Sequence, residues 1–505
     1  MNNNFRLYSN KELLKLITIA NKYKPRFLVD TIINMIENKD DEKVIEIFGN
    51  RRTGKTIAMY HTIKRLLETE SISKFIYIRC YNGGSIADLC DILDSLEEVI
   101  EYIFIDEITY LDDIVCAINQ ITDGYLSKTI VLTGSSSLSF IFSEPVLFGR
   151  YKKVNTTFIS YKEWKYIKDD NTDIFEYIHN CGILDSNVNP SEYLNEFINL
   201  NISSSLEKYV TQSNYVNPYI HEIEILAEKY PGLIIKITED FSNKLSLANI
   251  KKPFKFYKLG NRYLKNKDFK EYLIREINSE VGSNLITVNG LDLLEDLLIK
   301  GDFYCKLYDL VYTTNSAEEY QSSGLIYNHT LSYHLGQMQS CIRYYQSLKM
   351  IKDLQAFGLL EGNFNLQKYL QDIDERILED IVRIHLMLHF NSDDNNSIVI
   401  KSFRLGNLKE IDVVVEDIES SSSYLIEVKR NSKYHKNYGV WLVDDEIATI
   451  YKNTKDRILL YNGYTDTIKQ NNRIIKCINI EEFLLNIDKF ISFEENINGF
   501  KKLEI

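Results

Sequence analysis

Gly49-Asn50-Arg51-Arg52-Thr53-Gly54-Lys55-Thr56 fits the spacing Gly-x4-Gly-Lys-Thr of a phosphate-cradling loop without a mismatch. Each residue type answers a need of that chemistry. Glycines let successive backbone N–H groups face phosphate oxygens, and a helix opening at Thr56 adds positive potential. Lys55 reaches β- and γ-phosphates, and the Thr56 hydroxyl ligates Mg²⁺. The cation also needs a carboxylate at the end of a neighbouring apolar strand, which Tyr102-Ile103-Phe104-Ile105-Asp106-Glu107 supplies. Asp106 is placed to hold Mg²⁺ through water and Glu107 to polarise an attacking water. Thr133-Gly134-Ser135-Ser136 follows a further apolar run, so a polar side chain there could sense a γ-phosphate between the two motifs. Asn38-Lys39-Asp40-Asp41 spells a guanine-reading motif but lies upstream of the loop, where it is a solvated helix end. ATP with Mg²⁺ is therefore the expected ligand pair.

A second constellation lies near the other end. Glu427-Val428-Lys429 puts an acid and a base two apart on one strand, hence on one face. Asp412 opens the preceding strand, and a hairpin can bring the two carboxylates together. Glu379, on a helix upstream, could add a third. Two or three carboxylates with a lysine suit a Mg²⁺ site that activates water for phosphodiester hydrolysis, with Lys429 offsetting developing charge. The same spelling suits a cross-strand salt bridge, and the sequence leaves both open.

The elements that must position these groups follow from periodicity. Leu13, Leu14, Ile17 and Ile19, then Phe27, Leu28, Ile32, Ile33 and Ile36, predict a lead-in helix pair. Apolar runs at Val44 to Phe48, Phe75 to Ile78, Tyr102 to Ile105 and Ile130 to Leu132 are separated by crossover-length segments, which predicts a buried, mostly parallel sheet. Residues 166–370 read as helical or winged-helix. Beyond them a helix with Ile381, Ile384 and Leu388 precedes strand runs at 398–400, 411–415, 424–428, 458–461 and 474–478, with a closing helix at 481–487. The predicted organisation is an α/β phosphate-loop domain over 1–165, a helical middle over 166–370 and a second α/β domain over 371–505.

The motif set resembles bacterial and archaeal AAA+-type P-loop ATPases, whose signature runs Gly-Pro-Arg-Arg-x-Gly-Lys-Thr, apolar-Asp-Glu, Leu-Thr-Gly-Ser-Ser-Ser, Gly-Arg and Ser-x-x-Glu. The matching segments are Gly49 to Thr56 (with Asn50 for the usual Pro), Phe104 to Glu107, Leu132 to Ser137, Gly149-Arg150 and Ser160 to Glu163. The resemblance implies a sensor role for Ser135 and suggests Arg150 as a γ-phosphate or inter-subunit arginine. The inter-subunit role would require a homo-oligomer. Members commonly carry a restriction-endonuclease-like PD-(D/E)XK domain. Its motifs match Arg376-Ile377-Leu378-Glu379 (with Glu375 for the usual Gly), Glu410-Ile411-Asp412 and Glu427-Val428-Lys429. This implies DNA or RNA as a partner, cleaved by an active site or engaged by an inert platform in an ATP-gated, STAND-like switch.

Composition bounds the rest. Length 505 exceeds any single small module, and 44% hydrophobic content excludes intrinsic disorder. Net charge −13 argues against a generally basic surface, although residues 251–275 hold nine Lys/Arg against Asp268 and Glu271, interleaved with aromatics. Seven scattered cysteines without a Cys-x-x-Cys pair predict reduced thiols in the cytoplasm. The absence of an 18-residue apolar run predicts no membrane span.

Overall fold

The computed structural model describes residues 4–38, 44–49, 51–111, 114–125, 127–135, 151–156, 159–168, 172–179, 203–212, 218–228, 274–275, 278–279, 286–300, 304–314, 320–331, 366–390, 397–405 and 409–493. Asn50, Arg150 and the basic segment up to residue 273 lie outside them. The chain divides into two units, Met1–Lys306 with His329–Leu366, and Leu307–Asn328 with Gln367–Ile505.

In the first unit the apolar runs become β2 (Val44–Phe48), β3 (Phe75–Cys80), β4 (Tyr102–Asp106) and β5 (Thr129–Gly134). β1 (Phe5–Tyr8) and β6 (Tyr151–Asn155) complete a sheet of order β1-β3-β4-β5-β2-β6. All neighbours are parallel except β1, which runs antiparallel to β3. β4 is buried throughout because both faces are covered. On one face, α1 (Asn10–Ala20), α2 (Leu28–Glu37) and α3 (Lys55–Leu66) pack Leu13, Ile32 and Ile63 against Tyr77, Phe104 and Val131. On the other, α4 (Ile86–Asp94) and α5 (Ile114–Tyr125) pack Leu89 and Ile118 against Ile78, Ile103 and Leu132. The expected parallel sheet and helix pair thus form. Periodicity did not predict the edge strands: β1 has four residues, and β6 buries only Val154.

The second unit holds a mixed eight-stranded sheet of order β13-β14-β12-β11-β10-β9-β7-β8. β9 (Ile398–Leu405), β10 (Lys409–Asp417) and β11 (Ser422–Val428) form an antiparallel meander. β12 (Thr454–Tyr461) and β14 (Arg473–Asn479) continue it in parallel, and β13 (Asp466–Gln470) closes one edge antiparallel. The meander and parallel strands stand where the apolar runs predict. β7 (Tyr304–Thr314) and β8 (Tyr320–Leu331) correct the helical reading of 166–370, for β7 pairs in parallel with β9. Their Tyr, Leu, Val and Thr content favours a strand once a sheet edge is present, and that edge comes from much later in the chain. The long helix Leu366–His389 crosses the expected boundary at 370/371 and runs through Glu375, so no helix starts at Arg376. Among the described residues, no helix is long and apolar enough to cross a membrane.

His385 is buried in that long helix, with Nδ1 2.8 Å from the Ile381 carbonyl. Burial pushes its pKa down from 6.5 to about 4. Between those values the unfolded chain takes up a proton that the folded chain refuses. The stabilisation is therefore present above pH 6.5 and lost as pH falls towards 4, at most about 3 kcal/mol. His385→Phe is expected to flatten the acid limb of the second unit's unfolding midpoint over that window, relative to wild type.

Candidate functional site

The carboxyl ends of β4, β5 and β2 lie side by side, so the loops that follow them meet at one edge of the first sheet. After β2 the chain turns through Gly49 (φ 143°), Arg52 (φ 65°) and Gly54 (φ 84°). Glycine adopts such angles freely, whereas Arg52 holds its angle at a cost of about 1–2 kcal/mol. No side chain caps the start of α3, which leaves its first N–H groups to face an anion. Lys55 folds back over the loop and donates from Nζ to the Gly49 carbonyl at 2.8 Å. Burial pushes its pKa down to about 8, against the pull of Glu107 and Asp106.

Asp106 is fully buried at the end of β4. Three hydroxyls donate to it: Thr133 Oγ1 to Oδ1 at 2.6 Å, Tyr77 to Oδ2 at 2.7 Å and Thr56 Oγ1 to Oδ1 at 3.1 Å. Burial pushes its pKa up, and the Glu107 charge adds to this, while the Thr133 and Tyr77 hydroxyls oppose it. Glu107 takes a left-handed backbone conformation at φ 59°. Its N–H donates to Thr133 Oγ1 at 3.0 Å, and its Oε2 accepts from Ser135 Oγ at 2.9 Å. Thr133 therefore ties both acids together, and Ser135 orients the second. Lys55, Thr56, Asp106, Glu107 and Ser135 are all brought to this one edge.

Sequence reasoning missed the scaffold behind the loop. Buried Arg26, from the turn before α2, forks onto Glu163 with Nε and Nη2 each 2.9 Å from a carboxylate oxygen. Its Nη1 donates to the Thr53 and Thr156 carbonyls at 2.5 and 3.0 Å. Thr53 and Thr156 share a hydroxyl contact of 2.7 Å, and the Thr156 N–H donates to the Phe48 carbonyl at 2.8 Å. The residues on either side of the loop's turn are thus tied to the end of β6 and to helix α6 (Tyr161–Lys168), which carries Glu163. Tyr77 was also missed, and Thr133 was read as part of a sensor turn, not as the tie between Asp106 and Glu107. An arginine or tyrosine far along the chain carries no local mark of its partner; the Ser-x-x-Glu spelling was the one available signal.

In the second unit, the Val413↔Ile426 register carried one step further sets Asp412 opposite Glu427. The β9–β10 pairing shifts register between Ile411 and Val414, the stretch that holds Asp412. Its Oδ2 accepts the Val428 N–H at 2.8 Å, and Glu427 Oε2 accepts the Gly439 N–H at 2.9 Å. Lys429 Nζ stands 3.3 Å from Glu375, 3.4 Å from Glu427 and 3.5 Å from Asp412. Burial would lower its pKa, but Asp412, Glu427, Glu375 and Glu379 outweigh that and raise it. Burial pushes Glu427 up to about 7, with Lys429 holding it back. Glu379 thus acts on Lys429 through its charge, while Glu375 makes the close contact. The carboxylates meet around an ammonium, and among the described residues no group of three or more His, Cys, Asp or Glu is arranged to hold a metal ion.

Residues 41–165 match the family model of an AAA domain. That segment is an AAA-type P-loop domain. No curated protein matches the chain. Among solved structures, a Walker-type ATPase of Pyrococcus abyssi is 14% identical, covering 61% of this chain and 93% of its own at a TM-score of 0.29. AMPPCP-bound DnaA from Aquifex aeolicus is 14% identical, over 45% of this chain and 71% of its own, at 0.23. A DNA polymerase III γ-subunit-related protein from Thermotoga maritima is 13% identical, over 54% and 98%, also at 0.23.

Removing one member of the buried fork leaves the other charge without its partner. Arg26→Ala is expected to destabilise the first unit by about 3–5 kcal/mol in denaturant unfolding, whereas the paired Arg26→Met/Glu163→Leu change costs far less. A double-mutant cycle measures the difference.

Proposed function

We propose that the AAA domain binds ATP with Mg²⁺ and hydrolyses it, and that this controls a restriction-endonuclease-like carboxy-terminal domain acting on nucleic acid. One observation carries the first half. An unbroken chain of hydrogen bonds runs from Thr56 through Asp106 and Thr133 to Glu107 and Ser135, at the edge where Lys55 covers the loop. The donor set fits the group: a hydroxyl beside a buried carboxylate suits a hard divalent cation. Thr56 and Asp106 would hold Mg²⁺, which supplies neutralising charge to the β- and γ-phosphates when bound. Lys55 exchanges the Gly49 carbonyl for a phosphate oxygen, and the loop's N–H groups, Asn50 to Thr56 among them, orient the triphosphate. Glu107 accepts the proton of the attacking water, with Ser135 fixing its carboxylate. Arg150 is assigned, on the motif resemblance, to the γ-phosphate of its own or a neighbouring subunit in a homo-oligomer.

For the second half, Asp412 and Glu427 would hold Mg²⁺ that polarises water when bound, with Glu379 adding charge from the helix and Lys429 steadying the phosphate under attack. The opposed burial of Asp412 and Glu427 supports this reading. The position of Lys429 among three carboxylates favours a second one, in which ATP gates binding and the carboxy-terminal domain is an uncleaving platform.

Lys55→Ala is expected to abolish binding of a fluorescent ATP analogue, and Glu107→Gln to retain binding while slowing turnover about 100-fold or more. Unchanged turnover in both variants overturns the ATPase reading. With Mg²⁺ or Mn²⁺ and plasmid or single-stranded substrate, cleavage by wild type but not by Asp412→Ala or Lys429→Ala supports the nuclease; no cleavage by wild type supports the platform.

A further inference from the structure

From Val428 to Val443 the chain has no Asp or Glu, although its net charge is −13. Within that stretch stand Lys429, Arg430, Lys433 and Lys436. Lys429 is held by carboxylates, and Arg430 pairs with Asp374 at 3.1 Å. Lys433 and Lys436 lie in the exposed run 431–437 and form no ion pair among the described residues. The loop has a fixed shape. The Asn462 N–H donates to the Asn431 carbonyl at 3.1 Å, Asn431 bonds Tyr438 across the loop, and the Gly439 N–H ends it on Glu427.

The neighbouring turn carries a second signal. Tyr464 is 91% exposed, yet its backbone is tied down: its carbonyl accepts the Tyr461 hydroxyl at 2.6 Å, and the Gly463 carbonyl accepts from Asn479 Nδ2 at 3.0 Å. The two loops touch, since a Cβ on Gly463 would lie 2.6 Å from the Ser432 carbonyl oxygen. Tyr434, 40% exposed, stands on the basic loop with its ring edge-on to Tyr438. Both loops follow the carboxyl ends of the adjacent parallel strands β11 and β12, and the first begins beside Glu427 and Lys429.

We propose that the loop Arg430–Tyr438 and the turn bearing Tyr464 form a binding surface for single-stranded nucleic acid. Lys433 and Lys436 contact its phosphates, and Tyr434 and Tyr464 stack on its bases. Exposed cations and exposed rings carried on two tied-down loops suit a ligand that alternates charge with flat apolar faces. In a duplex those faces are buried in the stack, which selects a single strand. The proposal rests on the reading of this unit as one that acts on nucleic acid, and it names the surface that reads the strand.

Fluorescence anisotropy of the full chain with labelled oligothymidylate, oligouridylate and a duplex tests it. Wild type is expected to bind one or both single strands more tightly than the duplex. Lys433→Ala/Lys436→Ala should weaken binding more than tenfold and reduce the slope of log K against log salt by about 1.4. Tyr464→Ala should weaken it roughly 5- to 100-fold with the slope unchanged. Thermal unfolding of these surface variants should match wild type. Wild-type affinity in the loop variants overturns the surface and leaves the nucleic-acid reading standing. Equal duplex and single-strand binding with no Tyr464 effect reduces the loop to a charge patch and overturns the proposal. No binding of any nucleic acid at low salt overturns both.

Discussion

A carboxylate removed from water must be surrounded by donors or give up its charge, and the first unit is arranged around meeting that demand at Asp106. Tyr77 comes from β3, Thr133 from β5 and Thr56 from the first turn of α3. Each donor therefore sits on an element that the sheet order already places beside β4. Losing one of them would leave a fully buried acid short of a partner, at a cost of about 1–3 kcal/mol or more. The hydroxyl network thus fixes the register of three strands and a helix with respect to the phosphate loop. Both Asp106 oxygens face the Thr56 hydroxyl, at 3.1 and 3.3 Å.

Each unit sets a lysine among acids, and the two sites behave differently. Lys55 rests on a carbonyl, and burial outweighs the nearby acids so that its pKa falls to about 8. A phosphate oxygen, were one bound there, would offer that ammonium a full charge that the carbonyl does not. Lys429 is surrounded by Glu375, Glu427 and Asp412, and its pKa rises. It neutralises two acids that directly face each other across a strand pair, an arrangement that repels without it. Releasing Lys429 would expose that repulsion, so a cation entering the second site has to replace the ammonium's charge as it displaces it.

What could be read in the sequence follows from how local each signal is. The phosphate loop, the Asp106-Glu107 pair and the Glu427-x-Lys429 strand are written in consecutive residues, and the buried parallel strands appear as unbroken apolar runs. The helix pair ahead of β2 appears in the spacing of Leu13, Ile17, Ile32 and Ile36. The fork from Arg26 to Glu163 was not legible, because 137 residues separate its ends and the Ser-x-x-Glu spelling around Glu163 does not name a partner. β7 was hidden for the same reason: its partner β9 comes far later, and a strand's preference is realised only beside another strand. The contact from Glu375 to Lys429 has no mark of its own in the sequence, because Glu379, one helical turn on, shares the same helix face.

Parallel strands explain why chemistry gathers where it does in each unit. A parallel connection returns the chain to the starting end of the sheet, so every loop leaving a carboxyl end is free of the constraint of a tight hairpin and can be shaped by its contents. β2, β4 and β5 release the phosphate loop, the acid pair and Ser135 at one edge. β11 and β12 release the basic loop and Tyr464 in the same manner, with Glu427 and Lys429 at the base. The antiparallel meander β9-β10-β11 contributes Asp412 instead from within a strand, where the pairing to β9 shifts register. That difference sets the freedom of the two kinds of residue. The loops take their shape from their own contacts, while Asp412, held by the Val428 N–H, stays where the sheet puts it.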